Sequence, residues 1–315
     1  MSKTIKILSF VLAFIFCGLF ISACSSENNN IDVIPDSLKN EESGSPMLKV
    51  YNTSNKEIEE VDIEEYLLGV VVGEMYNTFE IEALKAQAIL ARTYAFDFLN
   101  TKDSKYEGAD ISNDITEAQA YSKENINDKI REAVSETKGI VVTKDGELIK
   151  AWFHANSGGI TTLAKDGLNY NVEENFTKSI ISPETEENSD NFSWGVVFKK
   201  TEILEALRVL GKTVNTITTF EVGEKDESGR AKTFIIGGEK INANEFRLKI
   251  GSTKLKSTLI TNISVYANTI YIEGRGYGHG VGMSQWGANV LAKEGKTAEQ
   301  IIKFYFDGVD LLTAY

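Results

Sequence analysis

Residues 274–288 read GRGYGHGVGMSQWGA and lie directly before a segment with helical character. Six of these fifteen residues are glycine, and Arg, Tyr, His, Ser and Gln stand between them. Because glycine has no Cβ, this density lets the backbone take left-handed or extended turns and lets another molecule approach closely. A tight packed turn could require the same glycines for steric reasons alone. The polar side chains favour a functional site over such a turn.

Length and composition indicate a globular protein with a sizeable core. The chain has 315 residues, of which 42% are hydrophobic and 25% charged, and a chain of this length can bury an extensive apolar interior. The formal net charge is −13. Because such a charge is repelled by a phosphate backbone, we expect no nucleic acid partner. The same charge gives no attraction to anionic lipids or anionic wall polymers.

The N-terminal segment has the order of a secretory signal. Two lysines precede an apolar run over residues 7–21, and small residues then lead to Cys24. This run is short for a membrane span, which takes about 20 residues, and ISAC at residues 21–24 matches a bacterial lipobox. We predict a signal peptide over residues 1–23 and a lipid anchor on Cys24, with an uncleaved transmembrane anchor as the alternative. Either arrangement places the protein at the extracytoplasmic face of the cell membrane.

The remaining sequence divides into a stalk and one large domain. Residues 24–46 are rich in Ser, Asn and acidic residues and predict a flexible stalk. The folded domain is predicted over residues 47–315. Because the two cysteines of the chain, Cys17 and Cys24, both precede this domain, it contains no disulfide, thiol nucleophile or cysteine-based zinc site.

Helical and strand patterns follow one another irregularly along the domain. Periodicity and capping residues predict helices that begin near Asp62, Glu80, Asn127, Thr201, Asn242, Ser284 and Thr297. Strands are predicted at residues 48–52, 140–143, 148–153, 216–222, 232–236, 257–265 and 269–273. Residues 166–192 are predicted to be a polar surface excursion. Because neighbouring strands occur without a regular βαβ repeat, the predicted fold class is α+β with mostly antiparallel strands.

The helix predicted from Asp62 carries the strongest candidate for a catalytic group. Its apolar residues recur at steps of three and four, and Glu74 is the polar end of that apolar face. A carboxyl among apolar neighbours loses hydration, which raises its pKa and suits it to general acid catalysis at neutral pH. An ordinary helix-end acid, exposed or paired with Lys85 or Arg92, is the alternative.

Histidine and serine residues provide weaker candidates. The two histidines of the chain, His154 and His279, lie in glycine-containing polar segments instead of on apolar faces. This placement leaves a structural role and a site role equally open. Ser157 and Ser284 could each belong to a Ser-His-Asp triad, but neither is surrounded by a nucleophile elbow, and we therefore disfavour serine hydrolysis.

Two long segments resemble the signatures of one protein family. The parts of the N-terminal segment are VVVGEM at residues 70–75, EALKAQA at 82–88 and ARTYA at 91–95. The C-terminal segment is residues 274–288. Between them, in the usual order of that family, are SGR at 228–230, FR at 246–247 and ST at 257–258. Over about residues 48–311 the chain resembles the stage II sporulation protein D family.

The resemblance implies a lytic transglycosylase of peptidoglycan with Glu74 as its catalytic residue. Such an enzyme cleaves the bond between N-acetylmuramic acid (MurNAc) and N-acetylglucosamine (GlcNAc) in glycan strands and leaves a 1,6-anhydro-MurNAc end. The implied substrate is glycan from which a partner amidase has removed the stem peptides, in the septal wall remodelling that drives engulfment during sporulation. The family also includes amidase enhancers, so a non-catalytic glycan-binding protein is the alternative. A generic solute-binding lipoprotein would account for Cys24 but for neither signature.

The implied chemistry needs one acid and no cofactor. Glycosidases that use water usually need two carboxylates. A lytic transglycosylase uses the 6-hydroxyl of the sugar as nucleophile, so one acid can protonate the leaving oxygen and then deprotonate that hydroxyl. Substrate contacts and their support are assigned to Arg92, Tyr94, His154, Tyr277, His279, Ser284 and Gln285. Glu82 is a reserve acid, with Lys85 within reach as a salt-bridge partner.

Two departures from the family's pattern bear on these assignments. Tyr76 follows the Gly-Glu-Met motif where the family often has proline, which changes how the chain leaves the Glu74 helix. Some relatives carry Cys ligands of a metal near the position of His154, where this chain has Ser157. We therefore predict no tightly bound metal, with His154 as a substrate or loop contact.

Overall fold

The computed structural model describes residues 33–35, 45–172 and 174–315, which contain eight helices and fourteen strands. The helices are α1 (Ile63–Glu74), α2 (Ile81–Thr101), α3 (Asp128–Glu136), α4 (Ala164–Gly167), α5 (Lys200–Val209), α6 (Ala243–Ile250), α7 (Gln285–Lys293) and α8 (Ala298–Tyr305). The strands are β1 (Met47–Asn52), β2 (Glu57–Asp62), β3 (Ile111–Ser112), β4 (Ile140–Lys144), β5 (Glu147–Leu148), β6 (Phe153–His154), β7 (Ser193–Lys199), β8 (Phe220–Val222), β9 (Thr233–Ile236), β10 (Glu239–Asn242), β11 (Leu259–Val265), β12 (Thr269–Arg275), β13 (Met283–Ser284) and β14 (Asp310–Thr313). These strands form five small sheets, antiparallel except where β1 pairs with β3 and β6 with β13. The predicted α+β class is confirmed.

Helix α2 lies at the centre of the first of two hydrophobic cores. Its apolar residues, many of them alanine, are buried around most of the helix, and it contacts α1, α3, α7, α8 and β4. Asp62 begins α1, as predicted, by accepting a hydrogen bond from Glu64 N at 2.7 Å. This core brings the N-terminal signature against α7, the helix that follows the glycine-rich segment.

The second core packs two three-stranded sheets against α5 and α6. The sheets have the orders β11-β12-β7 and β10-β9-β8, and Trp194, Phe234 and Phe246 are among the side chains that they bury with the two helices. The sequence analysis assigns no element to β7, which pairs along its whole length with β12. Central strand β12 leads directly into the glycine-rich segment.

Two predicted strands are wrong in extent. The strand predicted at residues 148–153 splits into β5, which forms a hairpin with β4, and β6, which pairs in parallel with β13. Met283 N donates to Trp152 O at 3.1 Å, so β6 is held at the start of α7 and not in the hairpin. The strand predicted from residue 216 begins only at Phe220.

Part of the segment predicted as a stalk packs against the domain. Val33 is 5% exposed and belongs to the first core, and Ser45 and Pro46 are buried. Pro46 O accepts a hydrogen bond from Ile63 N at 3.0 Å, which fixes the chain directly before β1. The predicted signal peptide with Cys24, like the rest of the predicted stalk, lies outside the described residues.

A buried ion pair connects α1 and α2, the helices of the N-terminal signature, to Tyr315. The guanidinium of Arg92, which is fully buried, donates to both carboxylate oxygens of Glu64, at 2.9 and 2.5 Å, and to Ile140 O at 2.9 Å. Gly139 N donates to Glu64 Oε1 at 3.2 Å, and Tyr315 OH donates to the same oxygen. Paired and hydrogen-bonded in this way, the two charges are stable in the interior.

Replacing Arg92 with Met leaves the Glu64 carboxylate without its cation, and we expect the free energy of unfolding to fall by about 3 kcal/mol. Urea denaturation followed by circular dichroism measures the change. The double variant with Glu64→Gln removes the unpaired charge and should regain part of the loss. A single variant as stable as the native protein would contradict this role of the pair.

Candidate active site

The carboxyl of Glu74 lies at the C-terminal end of α1. Its Oε1 accepts a hydrogen bond from Ala120 N at 2.7 Å, and its Oε2 is 3.5 Å from Gln285 Nε2. Burial raises the pKa of this carboxyl above its ordinary value of 4.5, an effect that the two hydrogen bonds only partly offset. The negative end of the helix dipole acts in the same direction. Glu74 thus has the raised pKa that the sequence predicts for it.

The backbone that holds Glu74 comes from a strap of residues 118–122, which crosses the second half of α1. Ser122 N donates to Gly69 O at 3.0 Å, and Ala120 N donates to Glu74. A Cβ atom on Gly73 would lie 2.7 Å from Tyr121 N, so the strap can approach the helix only because this residue is glycine. None of the site residues predicted from the sequence lies in the strap. The available signal was the spacing of Gly69 and Gly73, which puts two glycines on one face of a helix.

A cleft of about 280 Å³ opens beside Glu74. Of the residues predicted for the site, it brings together Glu74, Tyr277 and Gln285. The remaining lining residues are Val72, Gly73, Met75, Tyr76, Phe79, Ala155, Asn191 and Trp286. The two signatures, about 200 residues apart in the chain, therefore form opposite sides of one cleft.

Gln285 connects the two sides of this cleft. It is the first residue of α7, whose N-terminus Ser284 caps by accepting from Gly287 N at 3.3 Å. The Gln285 amide is 5% exposed, and its Nε2 donates to Gln87 Oε1 at 3.3 Å as well as facing Glu74. The Gln285 amide thus faces the Glu74 carboxyl and can donate a hydrogen bond to it when it is ionised.

Three aromatic rings form one rim of the cleft. The ring centroids of Phe79 and Trp286 are 4.8 Å apart, and Tyr76 lies 5.4 and 5.9 Å from them, all in edge-to-face contact. Tyr76, which stands at the position where the family often has proline, is 54% exposed. Trp286 lies inside the C-terminal signature but is not among the site residues predicted from the sequence. The exposed Tyr76 ring beside a carboxyl suits the apolar face of a sugar ring.

His154 is buried and His279 half-buried, and neither lines the cleft. His154, 4% exposed, donates from Nδ1 to Val281 O at 3.0 Å, and Val281 N donates to His279 Nδ1 at 3.1 Å. Burial, with nearby cationic groups, holds the pKa of His154 well below its ordinary range and lowers the pKa of His279 to about 3. The predicted substrate contacts at these residues are therefore wrong. As neutral rings they hold the glycine-rich segment against β6.

The glycines of that segment admit the protein's own chain. Gly276, Gly278, Gly280 and Gly282 all have positive φ, between 70° and 119°. A Cβ atom on Gly278 would lie 2.6 Å from His154 Cβ, and one on Gly282 would lie 2.0 Å from a backbone oxygen. Gly276 accommodates the loop after β6, and Gly278 accommodates His154 of β6 itself. Gly280 accommodates the side chain of Arg230, and Gly282 accommodates Trp152, directly before β6. The expectation that they let another molecule approach is wrong for them.

Ser284 points away from the cleft into a buried polar cluster around Glu184. This carboxylate, 1% exposed, accepts on Oε1 from Ser284 Oγ at 2.6 Å and from Ser157 Oγ at 2.5 Å. Ser182 Oγ donates to the other oxygen and also contacts Tyr305 OH. Predicted as a sugar contact, Ser284 is instead structural, because its hydroxyl is fully engaged in this cluster. The polar composition of residues 166–192 predicts a surface excursion with solvated charges. This prediction is wrong at Glu184, because its carboxylate is buried.

Arg92, Tyr94 and Glu82 also lie outside the cleft. Arg92 pairs with Glu64 at the opposite end of α1, so neither its predicted contact with substrate nor the alternative ion pair with Glu74 forms. Tyr94 OH lies 3.5 Å from Ala118 O, so this residue contacts the strap, and burial raises its pKa to about 12. Partial burial of Glu82 raises its pKa, but hydrogen bonds from Lys85 Nζ and Ala298 N outweigh this, and the pKa lies below its ordinary value. Glu82 is thus a paired carboxylate, with the partner that the sequence predicts.

Ser157 stands where some relatives have a metal-ligating cysteine, and it donates to Glu184. Over residues 33–35, 45–172 and 174–315, no group of three or more His, Cys, Asp or Glu side chains is arranged to hold a metal ion. None of the helices in these same ranges combines the length and apolar character that crossing a membrane requires.

Comparison with known proteins agrees with the resemblance. A family model described as stage II sporulation protein matches residues 51–143, and one described as a domain of unknown function matches residues 147–282. The stage II sporulation protein D of Bacillus subtilis (strain 168) is 32% identical over 281 residues, 85% of this chain and 79% of its own. The chain belongs to the stage II sporulation protein D family.

Two further relatives show the breadth of this similarity. An uncharacterised protein of Brachyspira hyodysenteriae (strain ATCC 49526 / WA1) is 32% identical over 270 residues, covering 85% of this chain and 72% of its own. The amidase enhancer of Bacillus subtilis (strain 168) is 29% identical over 296 residues, which cover 79% of this chain but 40% of that protein.

Replacing Gly73 with Ala should force the strap away from α1, because the added Cβ meets backbone atoms. We expect a loss of about 1–3 kcal/mol in the free energy of unfolding, the usual cost of overpacking. Gly69→Ala is the matched control, since its Cβ would meet only the side-chain ring of Tyr121, which can move. Chemical denaturation should find Gly73→Ala the less stable of the two; the reverse order would contradict the role of the strap.

The raised pKa of Glu74 predicts a pH-dependent stability difference. Between the unfolded and the folded pKa the native state binds more protons, so ionising Glu74 costs native stability as pH rises. Glu74→Gln removes this cost while its amide oxygen can still accept from Ala120 N. We expect the variant to melt at a higher temperature than the native protein at pH 7, with the difference vanishing below about pH 4. Glu132→Gln, which changes an exposed carboxyl, is the control and should leave the melting temperature unchanged. A Glu74→Gln variant that melts no higher than the native protein at pH 7 would show that the Glu74 carboxyl is not desolvated.

Proposed function

We propose that this protein is a peptidoglycan lytic transglycosylase that cleaves the MurNAc–GlcNAc bond and leaves 1,6-anhydro-MurNAc ends. The observation that carries the proposal is the number of carboxyl groups that line the cleft. Glu74 is the only carboxyl among its described lining residues, and its pKa is raised. A hydrolysing glycosidase usually places two carboxylates about 5–9.5 Å apart across the scissile bond. A single acid suits a reaction whose nucleophile is part of the substrate.

In the proposed reaction Glu74 acts first as an acid and then as a base. The protonated carboxyl gives its proton to the glycosidic oxygen, the C1–O bond breaks with its electron pair going to that oxygen, and positive charge develops at C1. The Glu74 carboxylate then takes the proton of the 6-hydroxyl while the oxygen of that group bonds to C1. The proton balance closes on Glu74, and no water is consumed. Such general acid–base catalysis contributes about 10²–10⁴ in rate.

The residues around Glu74 support both of its protonation states. Ala120 N and Gln285 Nε2 donate towards its two oxygens, which stabilises the carboxylate that forms after the first proton transfer. Burial favours the protonated form before it. The rings of Tyr76 and Trp286 at the rim, with Tyr277 in the lining, would orient the sugar faces.

The biological setting is part of the same proposal. The similarity to stage II sporulation protein D supports a role in sporulation, in the remodelling of the septal wall during engulfment, on glycan that an amidase has stripped of stem peptides. The N-terminal sequence supports export and retention at the outer face of the cell membrane, by lipid on Cys24 or by an uncleaved anchor.

The second candidate is a non-catalytic amidase enhancer. The similarity to a protein of that name favours it, and the same cleft would then hold a glycan strand without cleaving it. The two candidates differ in whether Glu74 moves a proton, which makes the product the discriminating observation.

Incubation of the purified protein with peptide-free glycan strands, followed by mass spectrometry, tests the proposal. We expect 1,6-anhydro-MurNAc ends from the native protein and at least about 100-fold less from Glu74→Gln. Glu82→Gln and exposed Glu132→Gln should match the native protein, because neither residue lines the cleft. Equal product from Glu74→Gln would refute the assignment of Glu74. No anhydro product from the native protein, together with faster peptide release by an added amidase, would establish the enhancer instead.

A further inference from the structure

The ammonium group of Lys256 contacts two residues that line the cleft. Lys256 Nζ is 2.5 Å from Asn191 Oδ1 and 5.5 Å from the centroid of the Tyr277 ring. Asn191 and Tyr277 both line the cleft that contains Glu74. Within the part of the chain that the structure describes, Lys256 contacts this amide and this ring but no carboxylate.

The position of Lys256 is fixed through its backbone. Its carbonyl oxygen accepts from Gly278 N at 2.9 Å and from Arg247 Nε at 3.1 Å. Arg247 is 9% exposed and also donates to Leu255 O at 3.0 Å and Ser252 O at 3.3 Å. A buried guanidinium thus holds the turn that carries this lysine. A lysine that served solubility alone would not need such an anchor.

The charge of the whole chain makes this group unusual. The protein carries 46 acidic against 33 basic residues, and many of its lysines are paired with carboxylates, such as Lys254 with Glu202 at 2.9 Å. An anionic ligand is repelled by the net charge, so its binding requires a local cation. An ammonium whose contacts are an amide oxygen and a ring is available to supply it.

The glycan offers one anionic group near the bond to be cleaved. The sugar rings of a MurNAc–GlcNAc strand are uncharged, but the lactyl ether on C3 of MurNAc ends in a carbonyl carbon. That carbon forms an amide while the stem peptide is attached and a carboxylate once the peptide has been removed. It belongs to the same sugar ring whose C1–O bond would break at Glu74.

We propose that Lys256 binds the lactyl carboxylate and thereby selects glycan from which the stem peptide has been removed. This rests on the proposed function only in requiring that the cleft binds glycan. The reaction that supplies the substrate is then an amide hydrolysis at the lactyl group, because only that reaction creates the anion. Selectivity arises because an amide presents no charge to the ammonium and brings a bulky peptide to its position.

Binding to inactive protein tests the proposal apart from catalysis. In the Glu74→Gln background, dissociation constants are measured for peptide-free glycan fragments, for the same fragments with the lactyl carboxylates coupled to methylamine, and for peptide-bearing fragments. We expect Lys256→Met to weaken binding of the peptide-free fragments by about 10-fold, the worth of one charge-assisted contact. Binding of the methylamide should not change. Lys256→Arg should retain the preference, and the surface variant Lys254→Met should behave as the parent.

Several results would overturn the proposal. An unchanged preference in Lys256→Met, equal weakening for carboxylate and methylamide fragments, or weakening confined to peptide-bearing fragments would each exclude recognition of the lactyl carboxylate. A lost preference in Lys256→Arg as well would indicate packing and not charge. Failure of the parent to bind any fragment would overturn this proposal and the proposed function together. Selective binding without anhydro product from the native protein would refute the transglycosylase and leave the role of Lys256 standing.

Discussion

The hydrogen bond from Ala120 N to Glu74 is the contact on which the rest of the site depends. It holds a partly desolvated carboxyl in one place at the end of a helix, where both burial and the helix dipole favour the protonated form. The contact exists because Gly73 lets the strap lie against α1. Once the carboxyl is fixed, the docking of α7 against α2 brings Gln285 behind it and Trp286 beside it. The cleft is thus a consequence of how the first core packs.

The glycine-rich segment serves this arrangement in a different way from that suggested by its composition. Its glycines accommodate Trp152, β6, the loop after that strand and the side chain of Arg230, and the neutral rings of His154 and His279 hold the segment against β6. The Glu184 cluster then ties the same loop to the N-terminus of α7. Tyr277 and Gln285 of this segment line the cleft, while most of its other polar groups bind the protein itself. Rigidity of this kind keeps this wall of the cleft in one conformation.

Local patterns in the sequence predicted what depends on neighbouring residues. The start of α1 at Asp62, the start of α2 near Glu80, the strand β4 and the desolvation of Glu74 all follow from periodicity, capping and apolar neighbours. The predictions that were wrong concern residues whose partners lie far away in the chain. Nothing near Arg92 shows that Glu64 is its partner, nothing near Ser284 points to Glu184, and β6 pairs with a strand about 130 residues later. Single-residue chemistry therefore predicted the desolvation of Glu74, while the residues that contact it could be found only from the fold.

The proposed role of Glu74 depends on its protonation behaviour, which can be measured directly. Carbon-13 NMR of protein labelled at the glutamate carboxyls, compared with the Glu74→Gln variant, isolates the signal of this one group during a pH titration. The account predicts a titration midpoint above the ordinary value of 4.5. A midpoint at or below that value would mean that Glu74 is an ordinary solvated carboxylate, and a reaction that depends on a single protonated acid in this cleft would be contradicted.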